Sequence, residues 1–117
     1  MGHIEHDVII AVFDAGRYEH EAAMAELRRF RNNVRDRAFK ALIVGPIPAV
    51  TNGYITYAFM PVGSKWGWED YKTGETLREK FKEITDCADV ISVTYGADST
   101  HEPGYPIVRT NTSEDED

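Results

Sequence analysis

Apolar positions are grouped along the chain in runs of three kinds, and the change from one kind to the next marks the expected elements. Asp7-Val8-Ile9-Ile10-Ala11-Val12-Phe13 is apolar at odd and even positions alike, the pattern of a strand buried on both faces and central in a sheet. Asp14-Ala15-Gly16 breaks it. From about Arg17 to Asp36 the apolar residues Ala23, Leu27, Phe30 and Val34 recur at steps of three and four, which predicts one buried face of a helix. Glu19, Glu21 and Glu26 precede its arginines, in the order the helix macrodipole favours. Phe39-Lys40-Ala41-Leu42-Ile43-Val44 reads as a second strand stopped by Gly45-Pro46-Ile47-Pro48, and Asn52-Gly53 marks a turn.

Tyr54 to Met60 then alternates, with Ile55, Tyr57 and Phe59 on one face and Tyr54, Thr56, Ala58 and Met60 on the other. Leu77, Phe81, Ile84 and Ala88 share one face of a second helix. Thr73 or Thr76 is its expected cap, the latter opening the capping box Thr76-Leu77-Arg78-Glu79. Asp89 to Tyr95 is a fourth strand ended by Gly96. Residues 99–110 read as an irregular Pro/Gly/His segment, and Ser113-Glu114-Asp115-Glu116-Asp117 as a disordered acidic tail.

The resulting order, β-α-β-β-α-β, predicts an α+β protein of the ferredoxin-like kind, with one antiparallel four-stranded sheet and two helices on one face. The expected domain is residues 1–98, followed by a C-terminal segment, 99–117. With both helices on one side, one apolar face of the first strand is left bare, either Val8, Ile10 and Val12 or Ile9, Ala11 and Phe13. A second subunit, or the tail through Tyr105, Ile107 and Val108, is expected to cover it.

Composition narrows the class. A chain of 117 residues, 42% hydrophobic and 28% charged, suits one globular domain with a real core. No apolar run approaches the ~18 residues of a membrane span, and the N-terminus lacks the pattern of a secretory signal. Cys87 is the single cysteine, so no intramolecular disulfide forms, and a reducing, cytoplasmic location is expected. The net charge of −7 argues against nucleic acid as a general partner. Yet Arg28, Arg29, Arg31, Arg35, Arg37 and Lys40 against Asp36 give a local +5, leaving −12 elsewhere. Arg28, Arg31 and Arg35, at steps of three and four, would form a basic stripe for nucleic acid or an acidic partner, or else a solvated helix face.

The stretch Pro61-Val62-Gly63-Ser64-Lys65-Trp66-Gly67-Trp68-Glu69-Asp70 holds both tryptophans. Gly63-Ser64-Lys65 offers backbone N–H groups and a cation to an anion, but the P-loop spacing is missing and the next helix is several residues away. A tight turn with a solvated lysine is the plainer reading. Trp66 and Trp68, two residues apart, are expected to point opposite ways, one into the core and one outward. Lys65, Trp66 and Trp68 are therefore the candidate contacts for a protein partner. Ser64 beside Lys65 is poor geometry for a nucleophile and its base. His3, His6, His20 and His101 have no supporting ligand cluster and read as adventitious, so no metal or cofactor is expected. Cys87 is expected in the core, and Asp14 is a catalytic carboxylate or a turn cap. Tyr57 or Phe13 would serve an RNA-binding sheet only if exposed.

Gly63-Ser64-Lys65-Trp66-Gly67-Trp68, with Asn52-Gly53-Tyr54 before it and Arg78-Glu79-Lys80-Phe81 and Tyr95-Gly96-Ala97-Asp98 after it, resembles small uncharacterised proteins of actinobacteriophages, including mycobacteriophages. The resemblance covers roughly residues 40–98; Trp66 departs from the charged residue expected at its position. It implies a phage-encoded accessory protein in the host cytoplasm and carries over no activity and no catalytic residue.

No acid, base, nucleophile or metal set converges in the sequence. The expectation is a non-enzymatic accessory protein that binds a host or phage protein and self-associates through its open sheet face. The alternatives are a small anionic-ligand or enzymatic site at Gly63–Trp68, and nucleic-acid binding or mimicry.

Overall fold

The computed structural model describes residues 4–64, 67–96 and 106–111. Strand β1 (Glu5–Asp14) is the middle of one antiparallel sheet with β2 (Ile43–Pro48), β3 (Tyr54–Phe59), β4 (Asp89–Gly96) and β5 (Ile107–Thr110), in the order β2-β3-β1-β4-β5. Three helices accompany it: α1 (Tyr18–Asn33), α2 (Arg37–Ala41) and α3 (Glu69–Thr85). The protein is thus mixed α+β, with five strands and three helices among the described residues where the sequence predicts four and two.

Alternation along β1 divides the molecule. Ile9, Ala11 and Phe13 point to the helices and are 0% exposed, packed with Leu27 of α1, Tyr57 and Phe59 of β3, and Phe81 of α3. Phe13 meets the Tyr57 ring edge-on at 5.8 Å, and Phe59 meets Phe81 in the same way. Val8, Ile10 and Val12 face away and are only half-buried. Register extends both faces across the sheet: Ala11 lies between Tyr57 and Val90, and Ile10 between Ala58 and Ile91.

Three differences from the expected elements have local causes. The basic segment after α1 does not continue that helix or begin a strand. Asp36 caps a separate turn, its Oδ1 accepting from the backbone N–H groups of Ala38 and Phe39, so Phe39, Lys40 and Ala41 are helical. Strand β2 then runs through Gly45-Pro46-Ile47-Pro48 instead of stopping there. It is the edge strand, where missing proline donors are tolerated, and its register shifts between Val44 and Ile47. Gly45 has φ of 130°, and a Cβ there would lie 2.7 Å from the Tyr57 ring, so only glycine fits. Helix α3 begins at Glu69, ahead of Thr73 and Thr76, with Trp68 at its cap position and no side-chain cap bond. Thr76 instead donates back to the carbonyl of Lys72.

The fifth strand replaces part of the expected irregular segment. Val108 pairs with Val93 and Thr110 with Ile91, so residues 107–110 extend the sheet at its edge rather than cover its face. Asn111 fastens this strand. Its side-chain amide donates to the carbonyls of Asp86 and Ala88, and its Oδ1 accepts from the Val90 N–H. The acidic tail 113–117 and Tyr105 lie outside the described residues. No described helix is long and apolar enough to cross a membrane.

Candidate functional site

Under α3 the helix-covered face of the sheet changes from apolar to charged. Gly74, Arg78, Phe81 and Thr85 recur at steps of four and three on its buried side, which places one guanidinium among the core contacts. Opposite it, Asp7 occupies the same face of β1 as Ile9, and its register partner Thr94 the same face of β4. The two elements enclose a cleft of about 250 Å³.

Arg78, only 8% exposed, organises the cleft. Its Nη1 lies 2.6 Å from Glu75 Oε2 and its Nη2 3.6 Å from Asp7 Oδ2. The Thr94 hydroxyl donates to Asp7 Oδ1 at 2.5 Å. Arg78 Nε is buried and has no hydrogen-bond partner among the described residues, a costly condition for a charged donor. Tyr71 closes one end. Burial, and then its hydrogen bond to Glu75 and the charges of Glu75 and Asp7, push its phenol up to about 12, against a smaller lowering by Arg78. At the other end Lys82 of α3 and Arg109 of β5 flank Ser92 and border an adjoining hollow of about 230 Å³. Lys82 lies 3.9 Å from Glu79, a loose and exposed pair.

The described residues marked out by the sequence are elsewhere, and they do not converge. Trp68 is 56% exposed at the start of α3. Lys65 and Trp66 lie outside the described residues. Ser64 is buried, and Val62 packs against Gly74 of α3, where a Cβ would come within 2.6 Å of a Val62 methyl. Arg28, Arg31 and Arg35 are not one stripe. Arg31 turns inward to donate to the carbonyls of Gly45, at 2.9 Å, and Ile43. Arg35 lies beyond the end of α1, and Arg28 borders a separate hollow beside Met24 and Tyr57.

Other expectations are corrected. Tyr57 and Phe13 are buried under the helices, so neither offers a stacking platform. His20, read as adventitious, is a buried fastener: Nδ1 accepts from the Asp14 N–H at 2.8 Å, which leaves Nε2 as the donor to the Cys87 carbonyl at 3.0 Å. Asp14 itself accepts from the Gly16 N–H, a turn role. Cys87 is exposed rather than core, because α3 ends at Thr85 and the thiol sits in the following turn. Burial of its sulfur nonetheless raises its pKa, away from the reactive thiolate. No group of three or more metal-ligating side chains occurs among the described residues.

The open face forms a second candidate surface. Val8, Ile10 and Val12 of β1, Ala58 of β3, and Ile91 and Val93 of β4 form its centre. Ile47, Tyr54, Tyr95 and Val108 are exposed around them. A shallow hollow of about 210 Å³ lies over Ile10, Val12, Ile91 and Thr110. Comparison with family models, with curated proteins and with solved structures gave no match.

Proposed function

We propose that this chain is a small binding protein that pairs with a second copy of itself through the open face of its sheet, and that the pair engages a further protein rather than catalysing a reaction. The observation carrying the proposal is the apolar character of that face, central valines and isoleucines ringed by exposed Ile47, Tyr54, Tyr95 and Val108. Five strands at about 4.8 Å spacing and ladders of about 20 Å give a footprint on the order of 500 Å². A patch of about that size is as large as the largest one a typical monomer exposes, and such a patch is often an interaction surface.

The β1–β4 strands with α1 and α3 support a ferredoxin-like reading, since β2-β3-β1-β4 is the order that arrangement requires, with β5 and α2 as additions. Pairing through the sheet leaves the start of α3 free, where Trp68 projects. That aromatic is the contact proposed for the further protein, and the resemblance to phage accessory proteins directs the search to host and phage proteins. Capture from host lysate with wild type and Trp68→Ala tests this half; the same partners in the same amounts would contradict it. Light scattering on wild type and Ile10→Lys tests the pairing, with a pair giving way to single chains as the expected result.

A further inference from the structure

Between α1 and the β2–β3 pair lies a hollow of about 330 Å³. Its helix wall is Glu21, Met24 and Arg28, which recur at steps of three and four and so share one side of α1. Its sheet wall is Pro46, Ile55 and Tyr57. Pro46 stands where β2 shifts register between Val44 and Ile47, and the missing Cβ of Gly45 beside it makes room for the Tyr57 ring. The seam is pinned at two places. The Ala15 N–H donates to the Gly53 carbonyl at 3.0 Å, and Arg31 donates to the Gly45 carbonyl at 2.9 Å.

Two donors in this lining lack an acceptor. Tyr57 is 2% exposed, and its buried hydroxyl has no hydrogen-bond partner among the described residues, which is costly for a polar group. Arg28 forms no ion pair among the described residues, whereas Arg31, one turn on, is already committed to β2 carbonyls. Both donors call for an oxygen acceptor, and Ala15, Met24, Pro46 and Ile55 call for a hydrocarbon body. Glu21 sits seven residues before Arg28, about 10 Å away along the helix axis, and repels a second negative charge at that end. We propose that this hollow binds a short apolar monocarboxylate. Its carboxylate lies between Arg28 and the Tyr57 hydroxyl, and its hydrocarbon body against Met24, Pro46 and Ile55. Seating it takes a rotamer change at the rim, where Glu21 and Arg28 are exposed.

The test is an amide-resolved NMR titration of the full chain with phenylacetate, and with acetate, phenylacetamide and phenethylamine as controls. Phenylacetate is expected to produce saturable shifts at Met24, Arg28, Ile55 and Tyr57, with a dissociation constant on the order of 1 mM and at least about fivefold below that of each control. Arg28→Gln, at an exposed position, is expected to weaken phenylacetate about fivefold at unchanged melting temperature and to leave phenylacetamide as it was. Tyr57→Phe keeps the ring and removes the hydroxyl. It is expected to weaken phenylacetate by a similar factor without lowering the melting temperature, since the lost group has no partner to leave behind. A lowered melting temperature with unchanged affinity would show that the hydroxyl serves the fold and would overturn the proposal. Acetate binding as tightly as phenylacetate would replace it with a plain anion site, phenylacetamide with an uncharged apolar pocket, and phenethylamine with a cation site at Glu21. Shifts centred on Ile10 and Ile91 would place the binding on the open face, and no saturable shift up to about 50 mM phenylacetate would leave no site at all; either result would overturn it.

Discussion

The two faces of β1 carry nearly the same side chains in different surroundings. Ile9, Ala11 and Phe13 are sealed beneath α1 and α3, whereas Val8, Ile10 and Val12 are half-buried by their sheet neighbours alone. Hydrophobicity therefore does not distinguish the faces; what covers them does. The sealed face accounts for the fold of a single chain, and the open one has apolar surface the single chain does not use.

Substitutions on the sealed side sharpen this contrast most strongly. Phe13→Ala or Phe81→Ala removes a ring from a filled core and is expected to cost about 3–5 kcal/mol in urea unfolding, independent of protein concentration. Ile10→Ala, one position along from Ile9, is expected to give a loss that depends on protein concentration, because in the proposed pair the contact it removes lies between chains. Equal, concentration-independent losses at positions 9 and 10 would break the comparison.

Arg78→Ala comes next, at about 3 kcal/mol, since it leaves Asp7 and Glu75 together without their cation. Asp7→Asn added to Arg78→Ala is expected to recover part of the loss. Full additivity of the two changes would mean the ion pair contributes nothing.

Asn111→Ala is expected to cost about 1–2 kcal/mol, as it removes three hydrogen bonds at the edge of the sheet. Hydrogen exchange should quicken in β5 and along β4 before it changes in β1. Uniform quickening would show that β5 is part of one cooperative core rather than an addition to it.

The smallest effect concerns Tyr71. Its phenol rises from 10.0 in the unfolded chain to about 12 in the folded one, so the protonated form is favoured by folding. That contribution is complete below pH 10 and is lost as pH rises through 12. Tyr71→Phe is expected to flatten the fall in stability over this window, as read by urea unfolding at a series of pH values.

Much of the architecture was legible because apolar period and face agree. Leu27, Tyr57, Phe59 and Phe81 occupy the buried positions their spacing predicts. The second strand was misplaced because Asp36 acts as a cap, a tertiary-independent signal hidden within a basic run, and because two prolines are harmless at an edge. The fifth strand was missed because four residues are too few to establish a period, and its anchor Asn111 acts through backbone carbonyls that no spacing rule reveals.

The cleft was missed for a different reason. Arg78 falls inside the capping-box pattern Thr76-Leu77-Arg78-Glu79, although it also lies three residues before Phe81 on the buried stripe. A charge on that stripe, with Asp7 on the parity of Ile9, was the available signal. The loop with Trp68 and the arginine series drew attention by composition, but the fold separates Arg31 from Arg35 and sends the former into β2 carbonyls.

The central claim is that the open face meets a second copy of this chain. Sedimentation equilibrium of the wild type and of Ile10→Lys, over a range of concentrations, tests it most directly. The wild type is expected at twice the 13.2 kDa chain mass, and Ile10→Lys at the single mass with its circular dichroism spectrum retained. A wild type that stays at the single mass at every concentration would contradict it.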